Sequence, residues 1–207
     1  LAAYKLCGKI LQAQGNIEGA IDCYKKALTI KFDDAEIQVN LGSLYAMTKQ
    51  WSAAITSYQQ AIAIQPTLAP AYRNLARVWT QAGKLEEANE CWYEAYSLEP
   101  DKVSPDQHFK LGNLLFKQRQ ITYAIACYRR AIELKPDDPY IHNNLADMLR
   151  HQGDLEDAIA CYRRAIELKP DFSWFHYNLG EVLTKKGQID EASSCYRHAL
   201  ELEPKIF

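Results

Sequence analysis

No stretch of the 207-residue sequence approaches the roughly 18 consecutive apolar residues that a membrane-spanning helix needs. Charge of one sign is also missing: 24 basic residues face 26 acidic ones, for a net charge of −2, and neither half of the chain carries an excess. That leaves no electrostatic footprint for nucleic acid or an anionic membrane, so neither is expected as a partner. No nucleophile elbow, phosphate loop, HExxH site or EF-hand loop occurs, and no two cysteines fall in a CxxC pair. Catalytic residues, metal ligands and cofactors are therefore not expected. Linkers and low-complexity tracts are absent too, which predicts one continuous domain over 1–207.

What is present is a period. Ala20, Ala54, Ala88, Ala124, Ala158 and Ala192 recur every 34 residues, with two extra residues at Val103–Ser104. Seven residues after each comes another alanine: Ala27, Ala61, Ala95, Ala131, Ala165 and Ala199. Between the two, four residues after the first, sits an aromatic: Tyr24, Tyr58, Trp92, Tyr128, Tyr162 and Tyr196. Such a period marks one small unit copied and stacked. The units are 1–34, 35–68, 69–102, 105–138, 139–172 and 173–206, and "place" below means position within a unit.

Spacing predicts two helices per unit. In the fourth, His108, Leu111, Gly112 and Leu115 make one helical stripe, and Ile121, Ala124, Ile125, Tyr128, Ala131 and Ile132 make a second. Gly15, Gly83, Gly153 and Gly187 fall in the break, where positive φ ends the first helix; Lys49 and Arg119 hold that place in the other units. Proline at place 32 (Pro66, Pro100, Pro136, Pro170, Pro204) is expected to stop the second helix, with Phe32 the exception. Small residues at places 8, 20 and 27 leave room for the aromatic at place 24. The sequence starts on Leu1, already inside a first helix, and ends directly after the last second helix, so a segment of a longer protein is expected.

This pattern, with Leu-Gly/Ala at 7 and 8, Ala at 20, an aromatic at 24, Ala at 27 and Pro at 32, resembles the tetratricopeptide repeat over essentially the whole chain. The wording of the later units is most similar to bacterial, in particular cyanobacterial, arrays and to the repeat region of O-GlcNAc transferase. The resemblance implies an all-α, right-handed superhelical solenoid of six helix-turn-helix units, with first helices lining a concave groove.

Most of the chemistry-bearing residues fall on scaffold places. Cys23, Cys91, Cys127, Cys161 and Cys195 all stand at place 23, on helices whose packed spacing of roughly 8–10 Å is too wide for disulfides. They read as small apolar residues, reduced, in a cytoplasmic setting. His108, His142 and His176 share place 4 with Tyr4 and Tyr72, which points to packing rather than metal binding, with a pH-sensitive stack as the sharper alternative. On the second helices, Arg129/Glu133, Arg163/Glu167 and Arg197/Glu201 are spaced for i,i+4 ion pairs on a solvated outer face.

Place 6 departs from the scaffold. Asn40, Asn74, Asn144 and Asn178 stand there, away from the packing stripe and with no core reason for a poor helix former. An amide both donates and accepts, which suits an extended peptide backbone; O-GlcNAc transferase carries a similar asparagine ladder. At the neighbouring inward places Lys5, Lys9, Arg73 and Arg77 make one end basic, while Phe109, Asn113, Phe116, Tyr140, Trp174 and Tyr177 make the other largely aromatic. Chaperone-binding members of the family clamp a C-terminal carboxylate; Lys5 and Asn40 match that clamp, but Lys9, Pro70 and Asn74 depart from it. The expected function is a non-enzymatic module binding an extended peptide or partner protein in its groove. The alternatives are the substrate-recruiting or oligomerising arm of a larger enzyme (a glycosyltransferase, sulfotransferase or methyltransferase) and self-association through uncapped ends.

Overall fold

The computed structural model describes residues 1–204. Among these the chain forms twelve α-helices and no strand. They pair as hairpins: α1 (Ala2–Ala13) with α2 (Ile17–Ile30), α3 (Ala35–Met47) with α4 (Trp51–Ile64), and α5 (Ala69–Gln81) with α6 (Leu85–Leu98). After a 3-10 turn at Pro100–Lys102 come α7 (Pro105–Lys117) with α8 (Ile121–Leu134), α9 (Pro139–Gln152) with α10 (Leu155–Leu168), and α11 (Ser173–Lys186) with α12 (Ile189–Leu202). Each hairpin is one predicted repeat; Lys205 and Ile206 of the sixth lie outside the described residues. The chain divides into two compact units, Leu1–Lys102 and Val103–Phe207, so the two-residue insertion opens the second unit. Inside the units α2 packs on α3, α4 on α5, α8 on α9 and α10 on α11, which is how a hairpin too thin to bury both faces gains a core.

The alanines do what their spacing predicts. Those at places 20 and 27 are 2 % exposed or less in every repeat, and Tyr24, Tyr58, Tyr128 and Tyr162 are buried beside them. Trp92 and Tyr196 are half-buried. The aromatic lies so close to the first helix that place 8 must stay small. A Cβ on Gly42 would stand 2.6 Å from the Tyr58 ring, and one on Gly112 2.7 Å from Tyr128.

Helix starts are set by side-chain caps where the sequence provides them. Asn16 accepts from the Gly19 amide at 3.0 Å, Asp34 from Ile37 at 3.2 Å, and Ser104 forms a reciprocal capping box with Gln107. The proline at place 32 is not required for the stop. In the first repeat, where Phe32 replaces it, α2 still ends on an extended Lys31 (φ −142°, ψ 102°). Asp34 then caps α3, as Asp138 caps α9 in a repeat that has the proline.

Lys49 and Arg119 adopt the left-handed conformation that glycine supplies elsewhere, with φ of 58° and 61°. A side chain there costs roughly 1–2 kcal/mol relative to glycine. Lys49→Gly and Arg119→Gly are each expected to stabilise the protein by about 1 kcal/mol, the extra freedom of glycine in the unfolded chain offsetting part of the gain. Urea titration checks this; unchanged or lower stability in both variants would contradict it.

The place-4 histidines are packing residues with a definite polar task. His142 Nε2 lies 2.8 Å from the Pro136 carbonyl and His176 Nε2 lies 2.7 Å from that of Pro170, so each ring ties a first helix to the proline ending the preceding repeat. Burial lowers the titration point of His108, and that of His176 as well, where the hydrogen bond to Pro170 opposes the shift. A histidine held below its unfolded value, near 6.5, favours the neutral form in the fold. Its stability contribution is therefore present above about pH 6.5 and lost as the pH falls below it. The protein is expected to melt at a lower temperature at pH 5 than at pH 8, with a smaller difference in His108→Tyr, which carries the place-4 residue of the first and third repeats. Equal melting temperatures at the two pH values would refute this.

The outer-face pairs differ from the expected i,i+4 set. Arg130 meets Glu133 at 2.8 Å and Arg164 meets Glu167 at 3.0 Å, both i,i+3, while Arg163 reaches into the next repeat to Glu191 at 3.0 Å. Acidic groups on the neighbouring hairpin compete for these guanidinium groups, and such exposed pairs contribute little to stability.

Candidate functional site

The polar residues at places 5, 6 and 9 of the first helices come together from one repeat to the next. In the second unit they form a continuous row. Asn178 Nδ2 donates to Asn143 Oδ1 at 3.0 Å, Asn143 Nδ2 approaches Asn144 Oδ1 at 3.4 Å, and Asn144 Nδ2 donates to Asn113 Oδ1 at 3.0 Å. The Tyr128 hydroxyl closes the row on Asn113 at 2.7 Å. Beside it, the Tyr162 hydroxyl donates to Asp147 at 2.5 Å, and Arg150 bridges Asp147 and Glu181, each at 3.4 Å. Burial and the Asp147 carboxylate push the Tyr162 phenol up, so it remains a donor throughout the neutral range.

This corrects the reading that place 6 has no structural reason for asparagine. Asn144 and Asn178 bridge one first helix to the previous one, and the residue at place 9 accepts the hydroxyl of its own hairpin's tyrosine. Ser43, Asn113 and Asp147 all do so, for Tyr58, Tyr128 and Tyr162. The asparagines are half-buried, however, and an amide has more hydrogen-bonding capacity than the single inter-repeat donation uses. Asn143, Asp147, Arg150 and Glu181 belong to the same row, at inward places 5, 9 and 12. Neither the asparagine series at place 6 nor the run of exposed aromatics picks them out; their place numbers are the signal that does.

In the first unit Asn40 lies beside the Tyr24 phenol, and its Nδ2 is buried without a hydrogen-bond partner among the described residues. Asn74 and Arg77 line an open pocket of about 370 Å³ together with Ser43, Met47, Trp51 and Gln81. The expected basic character of this end is largely neutralised. Lys5 pairs with Asp34 at 3.0 Å and Glu36 at 2.7 Å, Lys9 with Glu36 at 2.7 Å, and Arg73 with Glu99. The hydrogen bonds from Lys5 and Lys9 hold the Glu36 carboxyl down at about 2, well below the range in which the histidines titrate. Arg77 is the exposed cation left facing the pocket. Lys5 is thereby engaged within the fold, which moves the first repeat further from a carboxylate clamp.

The aromatic residues divide into two sorts. Phe109 is half-buried with its ring centre 5.9 Å from Tyr128, and Tyr177 is half-buried 5.5 Å from Tyr196, so both shoulder the core aromatic. Trp174 and Tyr140 are each 42 % exposed. Trp174 stands edge-on to Tyr177 at 5.6 Å, and Tyr140 is held by Phe172, Phe175 and the Lys169 ammonium, which donates to its hydroxyl at 2.8 Å. Phe116 and His151 flank a second concavity of about 520 Å³. Among the described residues no group of three or more His, Cys, Asp or Glu could hold a metal, and no helix is long and apolar enough to cross a membrane.

Comparison with known proteins follows the same lines. The family model described as cilia and flagella-associated protein 70 C-terminal domain matches residues 1–203. The human protein O-mannosyl-transferase TMTC1 is 31% identical over 134 residues, 65% of this chain and 15% of that protein. Mouse BBSome complex member BBS4 is 31% identical over 110 residues, 53% of this chain and 21% of that one. The barley probable UDP-N-acetylglucosamine–peptide N-acetylglucosaminyltransferase SPINDLY is 28% identical over 136 residues, 62% and 14% of the two chains. All three are eukaryotic, and the chain spans about a fifth or less of each. Two solved structures share the fold. YrrB, described as a TPR protein with an unusual peptide-binding site, is 22% identical with a TM-score of 0.56, covering 88% of this chain and 93% of its own. MamA is 24% identical with a TM-score of 0.54, covering 83% and 92%.

Proposed function

The chain belongs to the tetratricopeptide-repeat family described as cilia and flagella-associated protein 70 C-terminal domain, and from that membership we propose that it is a non-catalytic docking module whose first-helix face binds an extended segment of a partner protein. The observation that carries this reading is the asparagine row along α7, α9 and α11, half-buried amides linked from one first helix to the next. Bonding to a peptide backbone through amides tolerates many sequences, while Trp174, Tyr140 and the Asn74–Arg77 pocket add side-chain preference. The unusual peptide-binding site ascribed to YrrB is consistent with this use of the fold. A reducing compartment, the cytoplasm, suits a chain whose cysteines are free thiols.

A peptide-library screen against the whole chain tests the proposal. The wild type is expected to select extended peptides, and the variant with Asn40, Asn74, Asn144 and Asn178 all changed to alanine to lose most of that binding while keeping its helical spectrum. Selection that survives the fourfold change would overturn it. A second reading is favoured by two of the relatives, TMTC1 and SPINDLY, whose names are those of glycosyl-transferring enzymes and of which the chain covers only 15% and 14%. In that setting the same face recruits substrate polypeptide for a catalytic domain elsewhere in the protein.

A further inference from the structure

Five of the six cysteines stand at place 23, but Cys7 does not. It lies on α1 at place 7, where the other five repeats carry leucine: Leu41, Leu75, Leu111, Leu145 and Leu179. Place 7 faces place 23 across the hairpin; in the third repeat, Leu75 and Cys91 pack in one cluster. In the first repeat that register brings two sulfurs together. Cys23 Sγ donates to Cys7 Sγ at 3.0 Å, with Cys23 buried and Cys7 half-buried. The other four cysteines sit on separate second helices, whose packed spacing of roughly 8–10 Å exceeds the disulfide limit of ~7 Å between Cα atoms.

We propose that Cys7 and Cys23 form a redox-active dithiol, a modification site that a hydroperoxide converts to a disulfide stapling α1 to α2. Cys7 is the more exposed sulfur and attacks first. Its thiolate takes the distal peroxide oxygen, the O–O bond breaks, and the products are a Cys7 sulfenic acid and an alcohol (water, when the oxidant is hydrogen peroxide). The Cys23 sulfur then attacks the sulfenic sulfur, loses its proton, and releases water as the S–S bond forms. Two thiols and one hydroperoxide thus give one disulfide, one alcohol and one water, the two electrons passing from the sulfurs to the peroxide. The geometry asks little of the fold, since the sulfurs need to approach by about 1 Å to reach the bonded separation of about 2.05 Å. The hydrogen bond to Cys7, together with burial, holds the Cys23 thiol above its usual range, which fits it as the resolving rather than the attacking group.

The site lies where a staple matters. On α1, Leu6 is 60 % and Ile10 48 % exposed, whereas Leu44, the counterpart of Ile10 in the second repeat, is fully buried. Among the described residues α1 therefore has less packing to hold it on that side than α3 has. Lys5 and Lys9, each two residues from Cys7, tie the same helix to Asp34 and Glu36. Locking α1 would fix that end of the first-helix face.

The test treats the whole chain with hydrogen peroxide at neutral pH, blocks residual thiols, and maps the unreduced tryptic peptides. The expected product has lost two hydrogens and joins the peptide 6–9 to the peptide 10–25. The melting temperature of the oxidised chain rises by roughly 6–12 °C, from closing a loop of about 15 residues, and dithiothreitol reverses the change. Cys7→Leu, which restores the residue of the other repeats, should fold and show neither the link nor the shift. Cys23→Ser, which copies the Ser57 of the second repeat, should behave alike. Linkage spread equally over Cys91, Cys127, Cys161 and Cys195, or oxidation of Cys7 and Cys23 to sulfinic acids without a link between them, would overturn the proposal.

Discussion

Tyr162→Ala is expected to destabilise the second unit by about 3–5 kcal/mol, the range for truncating a large buried aromatic. The ring is fully buried, as are Ala158 and Ala165 on its own helix and Ala146 on the first helix, and alanines are too short to fill the space it would leave. The substitution also removes the donor to Asp147, leaving a half-buried carboxylate with the longer contacts to Arg150 and Asn143. Tyr162→Phe separates the two contributions. It keeps the packing and loses the hydrogen bond to a charged acceptor, for an expected cost of about 1.5–3 kcal/mol. Urea unfolding followed by far-ultraviolet circular dichroism reads both. A cost under about 1 kcal/mol for the alanine variant, far below the range for such truncations, would mean that the place-24 aromatic is not the keystone of the hairpin.

Trp174→Ala is expected to act in the opposite way, leaving the fold alone and weakening partner binding about 30-fold, the effect of losing an aromatic hot spot. Trp174 is 42 % exposed and touches Tyr177 edge-on, so its loss opens no core cavity. Tyr177 is different. It rests on Tyr196 and its hydroxyl donates to Glu181 at 3.3 Å, so Tyr177→Ala is expected to lower stability as well as affinity. Titration of a library-selected peptide against both variants, with a thermal melt of each, distinguishes an anchor from a support. Unchanged affinity in Trp174→Ala would remove the aromatic part of the proposed site.

The scaffold is legible in the sequence because it is periodic, and the features that escape are those that join one repeat to the next. Ala20, Tyr24 and Ala27 form a stripe on a single helix, and the close approach of Gly8 follows from the same hairpin. By contrast, nothing on α1 itself partners Lys5, because its acids, Asp34 and Glu36, belong to the following cap and helix. The structural task of the place-6 asparagines is hidden for the same reason, since Asn144 finds its acceptor 31 residues earlier, on Asn113. Comparing equivalent places between repeats does not reveal the role of Cys7, whose partner lies across its own hairpin. Rotamer choice is a further limit. Arg130 and Arg164 find glutamates three residues on, while Arg163 spans to the next repeat, and no helical-wheel count separates these cases.

Hydroxyl-radical footprinting of the whole chain, with and without a library-selected peptide, tests the docking face most directly. Protection is predicted at Trp174, Tyr140 and Met47, exposed side chains on first helices, with Phe32, Ile64 and Tyr123 reacting equally in both states. Protection of Phe32, Ile64 and Tyr123, with Trp174, Tyr140 and Met47 unchanged, would place the partner on the opposite side of the repeats and contradict the account.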